Sequence, residues 1–263
     1  MSLTKSKSSW VSKMRTMSQR RGARVDEENP YWISFSDLMS AILVVFILAA
    51  VALIIELTET QKKIEQDIEQ LKHAEQARKD IIHEIRNELA KQNITVIIAD
   101  NETVIRIPET TLAFASNSYN IPADEDLRES MEIIGSTIHR AINKSFDGSG
   151  AGLMRFELLD TIFIEGHTDS QPSGRVKGNW GLSSYRAISL WEFWEDRLTV
   201  DPSFAEMENA FGQKLFSVSG YAASRRLQLE EETPEQRRAN RRIDIRFTVK
   251  RPSITELEEI VDQ

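Results

Sequence analysis

The longest apolar stretch of the chain runs from Tyr31 to Ile55 and reads YWISFSDLMSAILVVFILAAVALII. Its 25 residues carry a single charge. As an α-helix rising about 1.5 Å per residue, this stretch is long enough to cross the roughly 30 Å hydrocarbon core of a bilayer. Tyr31 and Trp32 stand at its start, where amphipathic rings favour the headgroup level. The pattern predicts one transmembrane helix over residues 30–55.

The residues before this stretch are polar and basic. Residues 1–29 hold seven Lys and Arg side chains against three acidic ones. Because basic flanks are retained in the cytoplasm, we expect a cytoplasmic N-terminus and place the chain beyond residue 56 outside the inner membrane. A cleaved signal peptide is the alternative, but the 29-residue hydrophilic lead and the length of the apolar run favour a membrane anchor.

Asp37 is the one charged residue inside the apolar stretch. An acid within a spanning helix costs roughly 2.5–3.5 kcal/mol on insertion scales, so a protein that carries one is expected to use it or pair it. Ser34 and Ser40 lie at i−3 and i+3, on the same helix face. We therefore predict an ion-translocating stripe of Asp37, Ser34 and Ser40, whose remaining wall other helices must supply. The alternative is an Asp at headgroup level that only orients the helix.

Residues 56–93 are predicted to form a polar helical linker outside the membrane. The segment up to residue 92 contains neither Pro nor Gly and is rich in Glu, Lys, Gln and Ala. Apolar residues recur along it at spacings of three, four and seven, namely Leu57, Ile64, Ile68, Leu71, Ile81, Ile85 and Leu89. This spacing is typical of a coiled coil and predicts a homodimer. A single amphipathic helix resting on the membrane or on the next domain is the alternative.

Residues 94–250 are predicted to form an α/β (α+β) domain with a mixed sheet, because strand and helix patterns interleave along them. ITVIIADNETVIRIP alternates around the polar pair Asp100–Asn101, which indicates a hairpin. The other expected elements are helices over 124–144, 182–198 and 233–240, strands over 158–165, 214–219 and 243–249, and a loop over 146–152. Residues 251–263 follow as a short acidic tail.

Composition narrows the possible functions. The 263 residues carry a net charge of −8, which argues against a nucleic-acid partner. The chain has no cysteine, so disulfides and thiolate chemistry are excluded. His167 and Asp169 form an HxD pair, but no third ligand has metal spacing, so no metal site is predicted. No nucleophile elbow is present, and the chain is not expected to be an enzyme.

Three segments combine small residues, a carboxylate or amide, and arginine: GHTD at 166–169, NWGLSSYRA at 179–187 and RRANRRIDI at 237–245. Such residues suit a ligand that bears both an amine and a carboxylate. Asp169 can pair with an ammonium group, and Arg186 can hold a carboxylate through two hydrogen bonds. A helix beginning near Leu182, capped by Ser183 or Ser184, would add backbone donors. The alternative is that these side chains only fix loops and helix ends.

The order GHTD, N..LS..RA and NRR resembles the OmpA-like peptidoglycan-binding domain, and its combination with PYWISFSDLM resembles the flagellar stator B subunits (MotB-like). This resemblance covers the membrane segment and about residues 95–250. It implies that Asp37 carries the translocated ion, H⁺ or Na⁺, with no other cofactor. It also implies that Asp169 and Arg186 contact the diaminopimelate of the peptidoglycan stem peptide, with Thr168, Asn179 and Arg242 at matching positions of the motif. The implied partner is a MotA-like membrane subunit, five copies around two of these chains.

The chain departs from that family at three places. The segment from Asp169 to Asn179 is longer, and residues 191–216 carry WEFW and an added FAEMENAFGQKLF. The region just after the membrane segment contains no proline. These features look more like the MotB-like ZorB component of the Zorya anti-phage systems. The predicted function is therefore a peptidoglycan-anchored subunit of an ion-driven motor, in defence. A flagellar stator subunit and a passive envelope anchor are the alternatives, whereas a TolR- or ExbD-like transducer would lack the NRR motif.

Overall fold

The computed structural model describes residues 30–146 and 152–249. The predicted basic N-terminus, the interior of the predicted loop over 146–152 and the acidic tail lie outside the described residues. The chain divides into two units, residues 1–59 and 60–263.

The described part of the first unit is helical. It belongs to helix α1, Pro30–Lys91, which is long and apolar enough to cross a membrane by its length and composition. None of its most apolar 18-residue window is buried, and the mean hydropathy of that window is 3.2. Leu43, Phe46 and Ile54 are each more than half exposed. The stretch is therefore not the core helix of a soluble fold, because such a helix buries its apolar side chains.

In the second unit, the C-terminal part of α1 packs into the hydrophobic core. Ala77, Ile81, Ile85 and Leu89 are fully buried there. The coiled-coil prediction is wrong for this part of the helix, since three of the predicted interhelical positions, Ile81, Ile85 and Leu89, contact the chain's own core. The alternative of a helix that rests on the next domain holds from residue 74 onward, so the predicted domain boundary at residue 94 is too late. Ile64 and Ile68, nearer the start of the unit, remain exposed.

The sheet has five strands in the order β1-β2-β5-β3-β4. Strands β1 and β2 form the predicted hairpin, and β5 lies antiparallel between β2 and β3. Strand β4 pairs parallel with β3, which makes the sheet mixed. The strands are β1 Ile97–Ala99, β2 Val104–Pro108, β3 Ile162–His167, β4 Phe216–Gly220 and β5 Arg242–Phe247. The predicted fold class is confirmed: an apolar N-terminal helix followed by an α/β domain with a mixed sheet.

Three further α-helices and a 3₁₀ turn lie in the described part of the second unit. They are α2 Glu125–Ile142, α3 Gly178–Arg197, α4 Pro234–Asn240 and a 3₁₀ turn Arg155–Leu158. Asp124 caps α2 by accepting a hydrogen bond from the Leu127 backbone N–H. Thr233 and Gln236 form a capping box on α4.

Helix α3 begins four residues earlier than predicted, at Gly178. Its N-cap, Lys177, has a left-handed backbone (φ 64°) and makes no side-chain capping bond. The predicted caps are wrong: the hydroxyls of Ser183 and Ser184 lie inside the helix and donate to the Trp180 carbonyl.

The added segment after α3, residues 204–216, contributes to the core. Phe204 is 1% exposed and packs against Trp194 and Phe216, with ring centroids 5.8 and 4.6 Å away. The indole Nε1 of Trp194 donates to the Met131 carbonyl at 2.9 Å, so this buried polar group is satisfied. The added residues therefore extend the core beneath β4 and α2.

Candidate functional site

A close approach between helix and sheet positions the GHTD segment. Gly166 of β3 pairs in register with Gly220 of β4. A Cβ placed on Gly166 would lie 2.0 Å from the Ser183 carbonyl oxygen, and one on Gly220 would lie 2.3 Å from Ser184 Oγ. Only glycine lets α3 sit this close. The ends of β3 and β4 are thereby held against the first turns of α3, from which Arg186 projects.

Asp169 and Arg241 form the centre of the site. The Asp169 carboxylate accepts from Arg241 Nη1 at 2.6 Å and from the Gln171 backbone N–H at 3.2 Å. Arg241 also donates through Nε and Nη2 to both oxygens of Glu109, at 2.5 and 2.6 Å. These bonds to Glu109, and then to Asp169, raise the pKa of Arg241. One guanidinium thus holds two carboxylates together.

Arg186 lies next to this group and is 5% exposed. Its Nε and Nη2 donate to the carbonyls of Ser118 and Ala115 at 2.9 and 3.3 Å, and its guanidinium stacks over Phe114. Burial lowers the pKa of Arg186 to about 10, so it stays charged at neutral pH. Among the described residues, no carboxylate comes within ion-pair distance of it. The site therefore contains a buried cation without a charged partner.

A carboxylate held by Arg186 through two hydrogen bonds could not use the edge formed by Nε and Nη2. That edge is occupied by backbone carbonyls. Nη1 is the terminal nitrogen without a hydrogen bond among the described residues, so it is the donor that can reach a ligand.

Asn179 and Thr168 support the loop after β3. Asn179 Nδ2 donates to the carbonyls of Asp169 and Gln171 at 3.2 and 2.9 Å, which fixes the turn that carries the Asp169 carboxylate. The Thr168 backbone N–H donates to the Ala222 carbonyl at 2.9 Å. Thr168 Oγ1 and Asn179 Oδ1 are buried without a hydrogen-bond partner in the part of the chain that the structure describes.

Arg242, the fifth predicted ligand contact, belongs to a different network. It donates to Asp244 Oδ2 at 3.0 Å and to the carbonyls of Asn240 and Arg225. No hydrogen bond joins it to Asp169. The arginine that reaches Asp169 is its neighbour, Arg241.

The longer segment after Asp169 is anchored rather than loose. Arg175 Nε donates to the Asn117 carbonyl at 2.6 Å, and Ser173 Oγ donates to Asn117 Oδ1 at 2.6 Å. The Arg175 guanidinium lies 5.2 Å from the Tyr119 ring centroid. This segment therefore forms one rim of the site together with the loop that supplies the acceptors for Arg186.

The side chains of His167 and Asp169, the HxD pair, do not converge on one site. The Asp169 carboxylate is held by Arg241, whereas His167 is 1% exposed at the end of β3 and lies near Glu165 and Asp244 on the other face of the sheet.

In the first unit, Ser34, Asp37 and Ser40 all lie exposed on α1. Their spacing places them on one helix face. The Ser40 hydroxyl donates to the Ser36 carbonyl at 2.7 Å, so within the helix Ser40 offers only acceptor lone pairs. Asp37 remains the one charged side chain between residues 31 and 55.

Glu109 and Arg241 were missed by the sequence prediction. Glu109 follows the last residue of β2, and Arg241 is the C-cap of α4. The signal available for Arg241 was the double arginine of the NRR motif, but the motif alone does not say which of the two faces Asp169.

No protein-family model matches the chain, and no curated protein matches it. Solved structures do. The periplasmic domain of Helicobacter pylori MotB (residues 78–256) is 19% identical over 64% of this chain and 90% of that one, with a TM-score of 0.46. A putative MotB-like protein from Desulfovibrio vulgaris is 18% identical over 69% and 99%, with a TM-score of 0.48. The cell wall anchor of the type VI secretion system from Pseudomonas aeruginosa is 19% identical over 66% and 99%, with a TM-score of 0.43.

Proposed function

We propose that this chain is a peptidoglycan-anchored subunit of an ion-driven motor complex in the bacterial inner membrane. The observation that carries the wall-binding part is Arg186, a buried cation without a charged partner beside the carboxylates of Asp169 and Glu109. A buried charge is costly unless it is paired, so the site favours a ligand that brings a carboxylate to Arg186.

The neighbouring carboxylates define the other half of that ligand. Asp169 and Glu109 share one guanidinium, that of Arg241, which is 26% exposed at its side chain. An ammonium group entering beside Arg241 would give Asp169 a second cation, whereas Glu109 already has one in Arg238, whose Nε lies 3.8 Å from its Oε2. A ligand with an amine and a carboxylate on one carbon centre fits both requirements, and the diaminopimelate of a peptidoglycan stem peptide is such a group.

Wall binding is tested by pull-down of the full chain on isolated cell-wall sacculi. Asp169→Ala and Arg186→Ala should each reduce the bound fraction at least tenfold. Asp126→Ala and Arg197→Ala, at positions on α2 and α3 away from the site, are the matched controls and should bind as the unchanged chain does. Undiminished pull-down by both site variants would reject the assigned site.

The ion-coupling part of the proposal rests on Asp37. Its carboxylate stands on a helix whose other side chains between residues 31 and 55 are uncharged, and we propose a single-pass span with the N-terminus in the cytoplasm. An isolated helix cannot enclose an aqueous path. The proposal therefore requires a MotA-like partner, with two of these chains among five partner subunits, and with Ser34 and Ser40 lining the same face.

Replacing Asp37 by Asn keeps the side-chain size and removes the titratable group. In proteoliposomes that contain both subunits, ion flux should fall at least a hundredfold in Asp37→Asn and stay unchanged in Asp67→Asn, a partly exposed position on the same helix outside the span. If Asp37→Asn carries full flux, the chain acts as a passive envelope anchor instead.

For the work performed, we propose anti-phage defence of the Zorya type rather than motility. Helix α1 continues to Lys91 without the proline expected after the span of a flagellar stator subunit. Deleting the gene should raise the plating efficiency of phage and leave swimming unchanged, whereas loss of swimming alone would favour the flagellar alternative. Flagellar or chemotaxis genes beside this one would favour the same alternative.

A further inference from the structure

The face of the sheet opposite the hydrophobic core carries an open cleft of about 570 Å³. Strand alternation points every second residue of β2, β3 and β5 toward it, because side chains on a strand alternate between the two faces. The proposed wall-binding site centres on Asp169 and Arg241 instead, although His167 and Arg242 border both the cleft and the pocket beside Arg186. Its charged lining residues are Asp100, Arg106, Glu165, Arg225, Arg226, Arg242, Asp244 and Arg246.

The acids of the cleft are already neutralised. Arg106 holds Asp244 through two hydrogen bonds of 3.0 and 3.2 Å. Arg246 holds Glu165 in the same way, at 2.8 and 3.1 Å, and also donates to Asp100 at 3.0 Å. These bonds leave one terminal nitrogen, Nη1, on each of the two arginines without a hydrogen bond among the described residues.

Positive charge is therefore in excess. Five arginines line the cleft against three carboxylates. Arg225 is the most available of them: its side chain is 49% exposed, and its guanidinium carbon lies 3.7 Å from the Tyr221 ring centroid. Among the described residues, the carboxylate oxygen nearest to it is 3.9 Å away, on Glu165. A half-exposed guanidinium over a ring, with no hydrogen bond donated to the described residues, is arranged to receive an anion.

His167 lies at the base of the cleft and has unused polar atoms. It is 1% exposed and stacks on Tyr221 at 5.4 Å, yet neither ring nitrogen makes a hydrogen bond within the described chain. Burial lowers the pKa of His167 to about 2, and the charges of Arg242, Arg106, Arg225 and Arg246 add to the effect. The ring is therefore neutral and offers one N–H donor.

We propose that this cleft is a second binding site, which takes an oxyanion group, carboxylate or phosphate, between the Arg225 guanidinium, the free terminal nitrogens of Arg106 and Arg246, and the imidazole of His167. Both oxyanions match the donor fork of arginine, so the cleft recognises their shared chemistry.

A metal cation is the competing occupant, because ligand atoms of Glu165, His167 and Asp244 lie within 4.8 Å of one another. The surroundings oppose it. Each of the two carboxylates is already bonded to a guanidinium, and a cation entering there would meet the surplus positive charge of the cleft. The unpaired donors favour an anion instead.

The test uses the full chain in mild detergent at constant ionic strength, with inorganic phosphate in one arm and acetate in the other. Anion binding to the folded state raises the urea midpoint as the ligand concentration rises. The shift should fall at least threefold in Arg225→Gln and in His167→Phe. It should be kept in Arg197→Gln, which controls for general salt effects.

The two arms distinguish the sources of the oxyanion. A variant-sensitive shift with phosphate alone identifies a phosphate site, and one with acetate alone identifies a carboxylate site. A full shift retained in Arg225→Gln, or no shift with either anion, overturns the proposal. Since Arg225 is half exposed, its replacement tests the cleft even if His167→Phe does not fold.

Discussion

Replacing His167 by Phe should change how the stability of the domain depends on pH. In the folded chain, burial and the nearby arginines lower the pKa of His167 to about 2, from an ordinary value of 6.5. Below pH 6.5 the unfolded chain takes up a proton on this ring and the folded chain does not. Stability is therefore lost as the pH falls, by about 1.4 kcal/mol for each pH unit between the two pKa values.

From pH 7.5 to pH 4.5 this linkage amounts to roughly 2.5 kcal/mol of unfolding free energy. The Phe variant lacks it and should lose that much less stability over the same interval. At pH 7.5 the two proteins should differ by only about 1 kcal/mol, because the ring nitrogens make no hydrogen bonds that the substitution could remove.

Urea titrations followed by tryptophan fluorescence, in amine buffers at constant chloride, measure this difference. Tyr221→Phe is the matched control, since it keeps the ring beneath His167 and removes no group that titrates in this range. It should follow the unchanged chain. Equal losses of stability in the unchanged chain and in His167→Phe would show that the folded ring accepts a proton, and would refute the reasoning.

Two other substitutions test the fold. Burial raises the pKa of Glu84, but hydrogen bonds from Lys144 and Arg155 lower it further, so the net shift is downward. Glu84→Gln should therefore cost about 1 kcal/mol at pH 7, and the difference should vanish as the pH falls below the ordinary carboxyl range of about 4.5, as urea titrations at both pH values would show. A difference independent of pH would contradict the ion pairing. Gly166→Ala places a Cβ 2.0 Å from the Ser183 carbonyl oxygen and should cost about 3 kcal/mol in the same assay, so an unchanged midpoint would contradict the close packing.

The sequence was sufficient to predict those helices and strands that a local pattern of residues defines. The hairpin of β1 and β2 followed from alternation around a polar pair, and the bounds of α2 and α4 lie within two residues of those predicted. The end of the linker could not be located in this way. Helix α1 continues without a break through residues 56–91, and the same apolar spacing serves a partner helix or the chain's own sheet.

The site was predicted in part for a similar reason. Asp169 and Arg186 were identified from their motif and do lie near one another. Whether Arg241 or Arg242 contacts Asp169 depends on the register of β5 with β3. Composition does not specify that register. Glu109 carries no motif at all, because it reaches the site through the pairing of β2 with β5.

Only Thr168 separates His167 from Asp169, although the first belongs to the arginine-lined cleft and the second to the wall-binding site. The Thr168 backbone is bonded to Ala222, whose N–H is in turn held by the Ser183 hydroxyl. A displacement of this single peptide moves groups in both sites together. We therefore expect occupancy of one site to alter affinity at the other, and reciprocity requires the effect to be equal in both directions.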